Sequence, residues 1–495
     1  MCMNGPSIGI DSSGRVSLLP FRYLSRHGLI AGSTGTGKSR TMQVLAEQLS
    51  DAGVNVFVSD VKGDASGFCA AGKENERNRL APYQPRPLKA NYWSIGNRLV
   101  PLRFSLSDAG PVLLSRLLSL NSTQESNLAL AFSYAGKNKR QVDGLEDLLD
   151  LLDELLEKKQ RGLNPSSVSV IERKVLALQE SGAGALFGKP DVSLSSLRGL
   201  NVLNLSDARK NMLVSIAPAF LLQKLFYELP EKGDADRPEY AIFFDEAHYL
   251  FKDSNKSLRD LMVTILKQIR SKGVSVFFVT QDVTDLPEEI LSQLSTKIIF
   301  SQKVFTQKGN RRLKALAGSF PKTGLDVMEK LKAMPTGVAI VSTLDGKGNQ
   351  TAPEEVTMFA PATTMDVVSD NEMLEATDQR LAGKYARKKA GKMARKAEKQ
   401  DAASPEPGKR EKQKKKGPSV WDGIFGFLLK LLDFILKALG KIFTFAVFKP
   451  GRRLFRWLVK KPVRILWLIL ALLALYIMAV NWPLIQGFLD ALNFS

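Results

Sequence analysis

The sequence is poor in the residues that build disulfide and zinc frameworks: two cysteines, Cys2 and Cys69, and two histidines, His27 and His248, in 495 positions. Two thiols make no disulfide scaffold, and these four side chains give no nitrogen/sulfur metal site, so zinc is not expected. No cleavable leader precedes the first apolar run, which with the scarce cysteine points to a reducing compartment for the folded part. Acidic residues run short only near the C-terminus. Residues 380–495 hold 25 Lys/Arg against 7 Asp/Glu, whereas residues 1–379 hold 45 against 43. The net charge of +20 therefore sits almost wholly in the tail. It argues for an anionic membrane surface or a nonspecific nucleic-acid arm and says little about what the rest of the chain grips.

Charge is also missing from residues 465–489, a run longer than the 20 or so apolar residues that cross a bilayer. Its N-terminal flank carries Lys449, Arg452, Arg453, Arg456, Lys460, Lys461 and Arg464, while only Asp490 follows it. Positive-inside logic puts that flank in the cytoplasm, with Trp457, Trp467 and Trp482 as interfacial anchors. A buried helix of a soluble core is the alternative. Within 420–448, Lys430, Asp433, Lys437 and Lys441 recur every three to four positions, which reads as a helix lying in an anionic lipid interface or as one packed on a protein core. Residues 361–419 read as a charged, flexible linker.

The rest of the chain alternates between strand and helix. Gly28–Ala31 is a short apolar run, followed by a glycine-rich loop and a helix over Arg40–Leu49; Val54–Val58 is a second strand, ending at Asp60. Residues 66–200 read as a largely helical insertion, leucine-rich at helical spacing over Leu113–Leu120 and Leu145–Leu156. A strand at Asn201–Leu205 reopens the α/β rhythm. Tyr240–Phe244, a helix over Lys256–Ser271, then strands at Val274–Val279, Lys297–Phe300 and Gly337–Ser342 complete a parallel sheet covered on both faces. Residues 1–65 and 201–360 thus form one α/β core interrupted by the insertion, with a basic flank and transmembrane helix in 449–495.

Gly32-Ser33-Thr34-Gly35-Thr36-Gly37-Lys38-Ser39 matches the phosphate-loop pattern, between a strand and a helix. Its glycines let backbone amides approach phosphate oxygens, Lys38 is placed to neutralise them, and Ser39 to ligate magnesium. Ile242–Phe244 is an apolar strand ending in Asp245 and Glu246, the form of a Walker B motif. Asp245 is the candidate magnesium ligand and Glu246 the candidate base for an attacking water; a helix-start pair of acids is the alternative. Gln281, closing the next strand, reads equally as a γ-phosphate sensor or as a buried amide satisfied by backbone. Arg270 reads as a helix C-terminal charge or as a functional cation.

These residues together resemble the HerA/FtsK superfamily of P-loop ATPases, in its YjgR-like, HerA-like branch. The resemblance rests on Arg26-His27-Gly28-Leu29-Ile30, Asp60-Val61-Lys62-Gly63-Asp64, Phe244-Asp245-Glu246-Ala247-His248, Ile269-Arg270-Ser271-Lys272-Gly273 and Phe278-Val279-Thr280-Gln281. In the insertion it rests on Leu117-Leu118-Ser119-Leu120-Asn121 with Gln124-Glu125. It implies a RecA-like fold, a homohexamer binding ATP and Mg2+ between subunits, Arg270 acting on a neighbouring site in trans, and Gln281 as the polar sensor. It leaves Asp60 open between a turn-forming and a nucleotide-facing role. HerA proteins carry an N-terminal β-barrel that docks a nuclease, for which no room is expected here, and partnership in end resection is not expected. The expectation is an ATPase tethered to the bacterial inner membrane by one pass near its C-terminus, its core in the cytoplasm, translocating duplex DNA. The alternative is a membrane ATPase that moves or remodels protein.

Overall fold

Short runs of β-branched and aromatic residues that are apolar at every position suit strands buried on both faces, and parallel sheets are built from them. The computed structural model describes residues 5–385, except 97, 191–197, 207–212, 234, 253, 305 and 384. In chain order its strands are β1 (Ser7–Asp11), β2 (Val16–Leu18), β3 (Gly28–Ala31), β4 (Asn55–Asp60), β5 (Ala90–Ser94), β6 (Val100–Pro101), β7 (Leu200–Asn204), β8 (Tyr240–Phe244), β9 (Val274–Thr280), β10 (Thr296–Phe300), β11 (Val338–Ser342) and β12 (Glu354–Met358). They form one sheet, ordered β2-β1-β12-β11-β10-β3-β9-β8-β4-β7-β5-β6.

From β10 through β3, β9, β8, β4, β7 and β5 to β6 every pairing is parallel. Parallel neighbours need long crossovers. Helix Lys38–Asp51 supplies the one from β3 to β4, Leu213–Glu228 lies between β7 and β8, and Lys256–Gln268 between β8 and β9. The pleat sends alternate residues to opposite layers. On one face Ile30, Val56, Val58, Phe243 and Phe277 pack with Met42, Leu45 and Leu49 of the first of these helices. On the other, Leu29, Phe57, Phe244 and Phe278 join a larger core with the other two. Because β9 lies between β3 and β8, the C-terminal ends of these three strands meet at one place. Crevices at such strand ends are where open α/β sheets bind ligands.

Two findings depart from the sequence reading. The run at Gly337–Ser342 was expected to extend the parallel sheet; β11 instead runs antiparallel to β10, followed by antiparallel β12, β1 and β2. Within residues 66–200, β5 and β6 belong to the main sheet. Helices fill only the later part: Leu106–Leu117, Ser122–Lys137, Leu145–Glu157 and Pro165–Glu180. The third has the pattern that builds such a bundle, burying Leu145, Leu148, Leu151, Leu152 and Leu155 along one face. This bundle is fastened to the core at Asn255, which caps the helix that follows it and donates through Nδ2 to Arg116 O and Leu117 O at 2.8 and 3.0 Å.

Beyond β12 the chain crosses back over helix Lys38–Asp51. There the buried Glu47 carboxylate accepts from the Ala362 and Thr363 N–H groups at 2.8 and 3.0 Å, and Gln43 donates to Thr364 O at 2.9 Å. Further on, the Tyr92 N–H of β5 donates to Thr377 Oγ1 at 3.1 Å. By internal contacts the chain divides into a unit Met1–Asp401 and a unit Ala402–Ser495. The second unit, with the expected interfacial and membrane-crossing segments and most of the expected linker, lies outside the described residues. Among the described residues no helix is long and apolar enough to cross a membrane.

Candidate functional site

The loop Gly32–Ser39 joins β3 to helix Lys38–Asp51 and turns on Gly35 and Gly37, whose φ angles of 78° and 127° lie where side chains are strained. A Cβ on Gly32 would stand 2.5 Å from Phe300 Cβ and 2.8 Å from Thr36 Oγ1. The loop is held from several sides. Ser33 N–H donates to Ser301 O at 3.0 Å, Thr36 Oγ1 to Ser33 O at 2.7 Å, and Gly337 N–H to Thr36 O at 2.8 Å. Lys38 is buried and donates through Nζ to Gly32 O and Ser33 O at 2.7 and 3.0 Å. Burial and the nearby Lys62 charge lower its pKa, while Glu246 and Asp245 oppose the shift. Ser39 is half-buried in the first turn of the helix, whose N-terminal amides favour anions.

Opposite the loop, β8 runs into Asp245 and Glu246, both buried. Burial pushes the Asp245 carboxyl up to about 7, against the pull of Lys62. Glu246 holds a φ of 50°, a left-handed conformation that a non-glycine residue adopts at a cost, and such strain collects at functional positions. Its Oε1 accepts from Gln281 Nε2 at 2.7 Å and is ion-paired with Lys62. Its Oε2 lies 3.2 Å from His248 Nδ1 but has no hydrogen bond. Burial raises the Glu246 pKa, but the Lys62 and Gln281 bonds outweigh it and hold the group below the usual carboxylate range, ionised. Gln281 Oε1 in turn accepts from Thr34 Oγ1 at 2.8 Å. One amide thus ties the phosphate loop to the acidic end of β8, as the strand order requires.

A family model described as helicase HerA-like C-terminal matches residues 7–430. The chain belongs to the HerA-like family. The DNA double-strand break repair helicase HerA of Sulfurisphaera tokodaii is 23% identical over 354 residues, covering 68% of this chain and 66% of that protein. The protein of the same description from Pyrococcus furiosus is 23% identical over 338 residues, covering 58% of each. The HerA-like chain spans just under two thirds of the length of the first of these relatives. Among solved structures, plasmid coupling protein TrwB with the non-hydrolysable GTP analogue GDPNP gives a TM-score of 0.50 at 14% identity, covering 73% of this chain and 93% of that one. That is a likeness of fold.

In this HerA-like site Gly32 to Ser39, Asp245, Glu246 and Gln281 converge, whereas Arg270 does not. It sits in a 3-10 turn before β9, its charge acting on His27 at the start of β3. The seven residues of β9, about 20 Å of strand, separate it from Gln281. Asp60 is a turn residue here: its carboxylate accepts from the N–H groups of Lys62, Gly63 and Ala65 at 3.1, 2.7 and 3.0 Å. Two contributors carried no role in the sequence reading. Phe300 is the floor beneath Gly32 and Gly37. Lys62 reaches Glu246 from the turn that Asp60 holds, and its place after a buried strand parallel to β8 was the available signal. The set of loop amides, a lysine, a hydroxyl and a buried carboxylate needing a cation fits a polyphosphate with an oxygen-ligated divalent metal.

Proposed function

We propose that the chain is an ATP hydrolase that couples turnover to translocation of a polymer, duplex DNA, as a ring of identical subunits tethered to a membrane. The observation that carries the catalytic reading is the relay Thr34–Gln281–Glu246, which puts an ionised carboxylate and the phosphate loop on one amide. Lys38 and the loop amides bind and orient the phosphates. Ser39 and Asp245 would hold Mg2+, which when bound neutralises charge across the β- and γ-phosphates. Glu246 accepts the proton of the attacking water as its oxygen bonds to the γ-phosphorus, and the bridging oxygen leaves with ADP. Gln281 fixes the carboxylate that takes that proton. Arg270 serves the site of a neighbouring subunit.

The DNA reading is supported by the relatives, which are described as DNA double-strand break repair helicases. The near balance of charge in residues 1–379, 45 Lys/Arg against 43 Asp/Glu, favours a second reading in which the polymer is protein. ATP turnover of the purified chain, with and without duplex DNA, separates them. Stimulation by DNA is expected, with Lys38→Ala and Glu246→Gln each lowering turnover at least about 100-fold. Turnover indifferent to DNA would move the reading to protein, and turnover surviving both substitutions would remove the site. For the tether, a reporter fused after Ser495 is expected outside the cytoplasm; a cytoplasmic signal would end the single-pass reading.

A further inference from the structure

In the arrangement described neither oxygen of Glu246 is open to a water, and Oε2 is buried 3.2 Å from His248 Nδ1 without a hydrogen bond. Its Oε1 is taken twice, by Gln281 Nε2 at 2.7 Å and by the Lys62 ammonium. The two partners differ in mobility. Gln281 hangs from the rigid end of β9 and is bonded at both ends of its amide. Lys62 has a fixed backbone, since Asp60 binds the amides of Lys62, Gly63 and Ala65 and Gly63 takes a φ of 88°. Its side chain, however, is 33% exposed where that of Glu246 is 4% exposed. Gln281 is exposed as well, so what sets Lys62 apart is its charge and its long unbranched stem.

A second lysine shares the enclosure. Lys38 is occupied with the carbonyls of Gly32 and Ser33, and the Lys62 charge disfavours its own. Two ammonium groups that repel each other are each bonded to groups of the protein, Lys38 to the phosphate loop itself and Lys62 to Glu246. A polyphosphate there relieves the repulsion and offers both a stronger acceptor than a carbonyl or a shared carboxylate oxygen.

We propose that Lys62 is a positioning residue that exchanges partners, clamping Glu246 in the resting site and moving to the terminal phosphate of a bound nucleoside triphosphate, which frees the base. This rests on the ATPase reading above and adds its regulation: the base becomes free only when a third phosphate is present. A diphosphate, too short to draw Lys62 away, leaves the clamp closed. Glu246 and the terminal phosphate therefore compete for one cation, and competition has a thermodynamic signature.

Affinities for ADP and for a non-hydrolysable ATP analogue, with Mg2+, are to be measured for the full chain, Lys62→Met, Glu246→Gln and the double variant. Glu246→Gln weakens the clamp and is expected to tighten the analogue relative to ADP by roughly 5- to 10-fold. Lys62→Met is expected to weaken the analogue about 10-fold and leave ADP unchanged. In the double variant the Glu246→Gln gain disappears, because the contested cation is gone. Lys62→Arg restores the preference for the triphosphate. The clamp is overturned if Glu246→Gln shifts the ratio equally with and without Lys62, or if Lys62→Met lowers ADP and analogue affinity alike, which marks a structural lysine. If the unaltered chain binds neither nucleotide, the ATPase reading falls and the clamp with it; if it binds both with a ratio indifferent to Lys62, the clamp alone falls.

Discussion

Gly32 shows how tightly the phosphate loop is fitted to what lies beneath it. A methyl group there would approach Phe300 Cβ to 2.5 Å, inside any real carbon contact, and Phe300 is fully buried with nowhere to go. Gly32→Ala is therefore expected to destabilise the fold by about 1–3 kcal/mol in denaturant titration and to weaken nucleotide binding with it. Phe300→Leu keeps that Cβ, so paired with Gly32→Ala it is expected to add its own loss of stability and to recover none. Recovery in the pair would mean that the loop slides off the Cβ into the space the shorter side chain leaves.

At the scale of elements, His27 is a staple. Its Nδ1 accepts from Val276 N–H of β9 at 3.1 Å, which leaves Nε2 to donate to Leu266 O of helix Lys256–Gln268 at 2.9 Å. The bond from Val276 needs the neutral ring, because a protonated Nδ1 cannot accept. Burial lowers its pKa from 6.5 to about 4, aided by the Arg270 charge and opposed by the Leu266 carbonyl. The unfolded chain therefore binds this proton more readily, and the stability His27 contributes is full above pH 6.5. That contribution is lost as pH falls from 6.5 towards 4, in total on the order of 3 kcal/mol. The stability difference between the unaltered chain and His27→Asn, which tolerates the φ of 60°, should shrink as pH falls through that window; a difference that does not change with pH would assign the dependence elsewhere. The elements legible in sequence were those with a strong local signature. These include the fully buried strands β3, β4, β8 and β9, the phosphate loop, and the leucine-striped helices of the bundle. The antiparallel edge was not legible, because Ser7–Asp11 and Glu354–Met358 mix small, polar and apolar residues, and an apolar run such as Val338–Ser342 carries no mark of its direction. β5 was hidden by its place in a segment that turns helical soon after. In the site, Asp245, Glu246 and Gln281 could be read because each follows a buried strand; Lys62 stands in a similar place after β4, but its partner is brought to it only by the parallel pairing of β4 and β8.

Over the whole molecule, the length of β9 sets what one chain can do alone. With Arg270 at one end of that strand and Gln281 at the other, the arginine cannot touch phosphate bound in its own chain. In the proposed ring, Lys38→Ala and Arg270→Ala are each expected to be inactive, whereas an equal mixture regains turnover at roughly a quarter of its interfaces, those pairing an intact loop with an intact arginine. No recovery on mixing would confine Arg270 to its place beside His27. The path by which the chain leaves the sheet has a mechanical side. Pulled from beyond residue 385, the backbone meets resistance at β5, where Asp378 N–H donates to Asn91 Oδ1 and Tyr92 N–H to Thr377 Oγ1, and further in where Ala362 and Thr363 are bolted to Glu47 on the helix that springs from the phosphate loop. The two fastenings are in series. Tension is borne by the first until it ruptures and only then strains the nucleotide-binding helix, so single-molecule stretching from that end should yield in two steps. The clasp at Tyr92 works as a fuse between whatever tugs on the tail and the loop that grips phosphate.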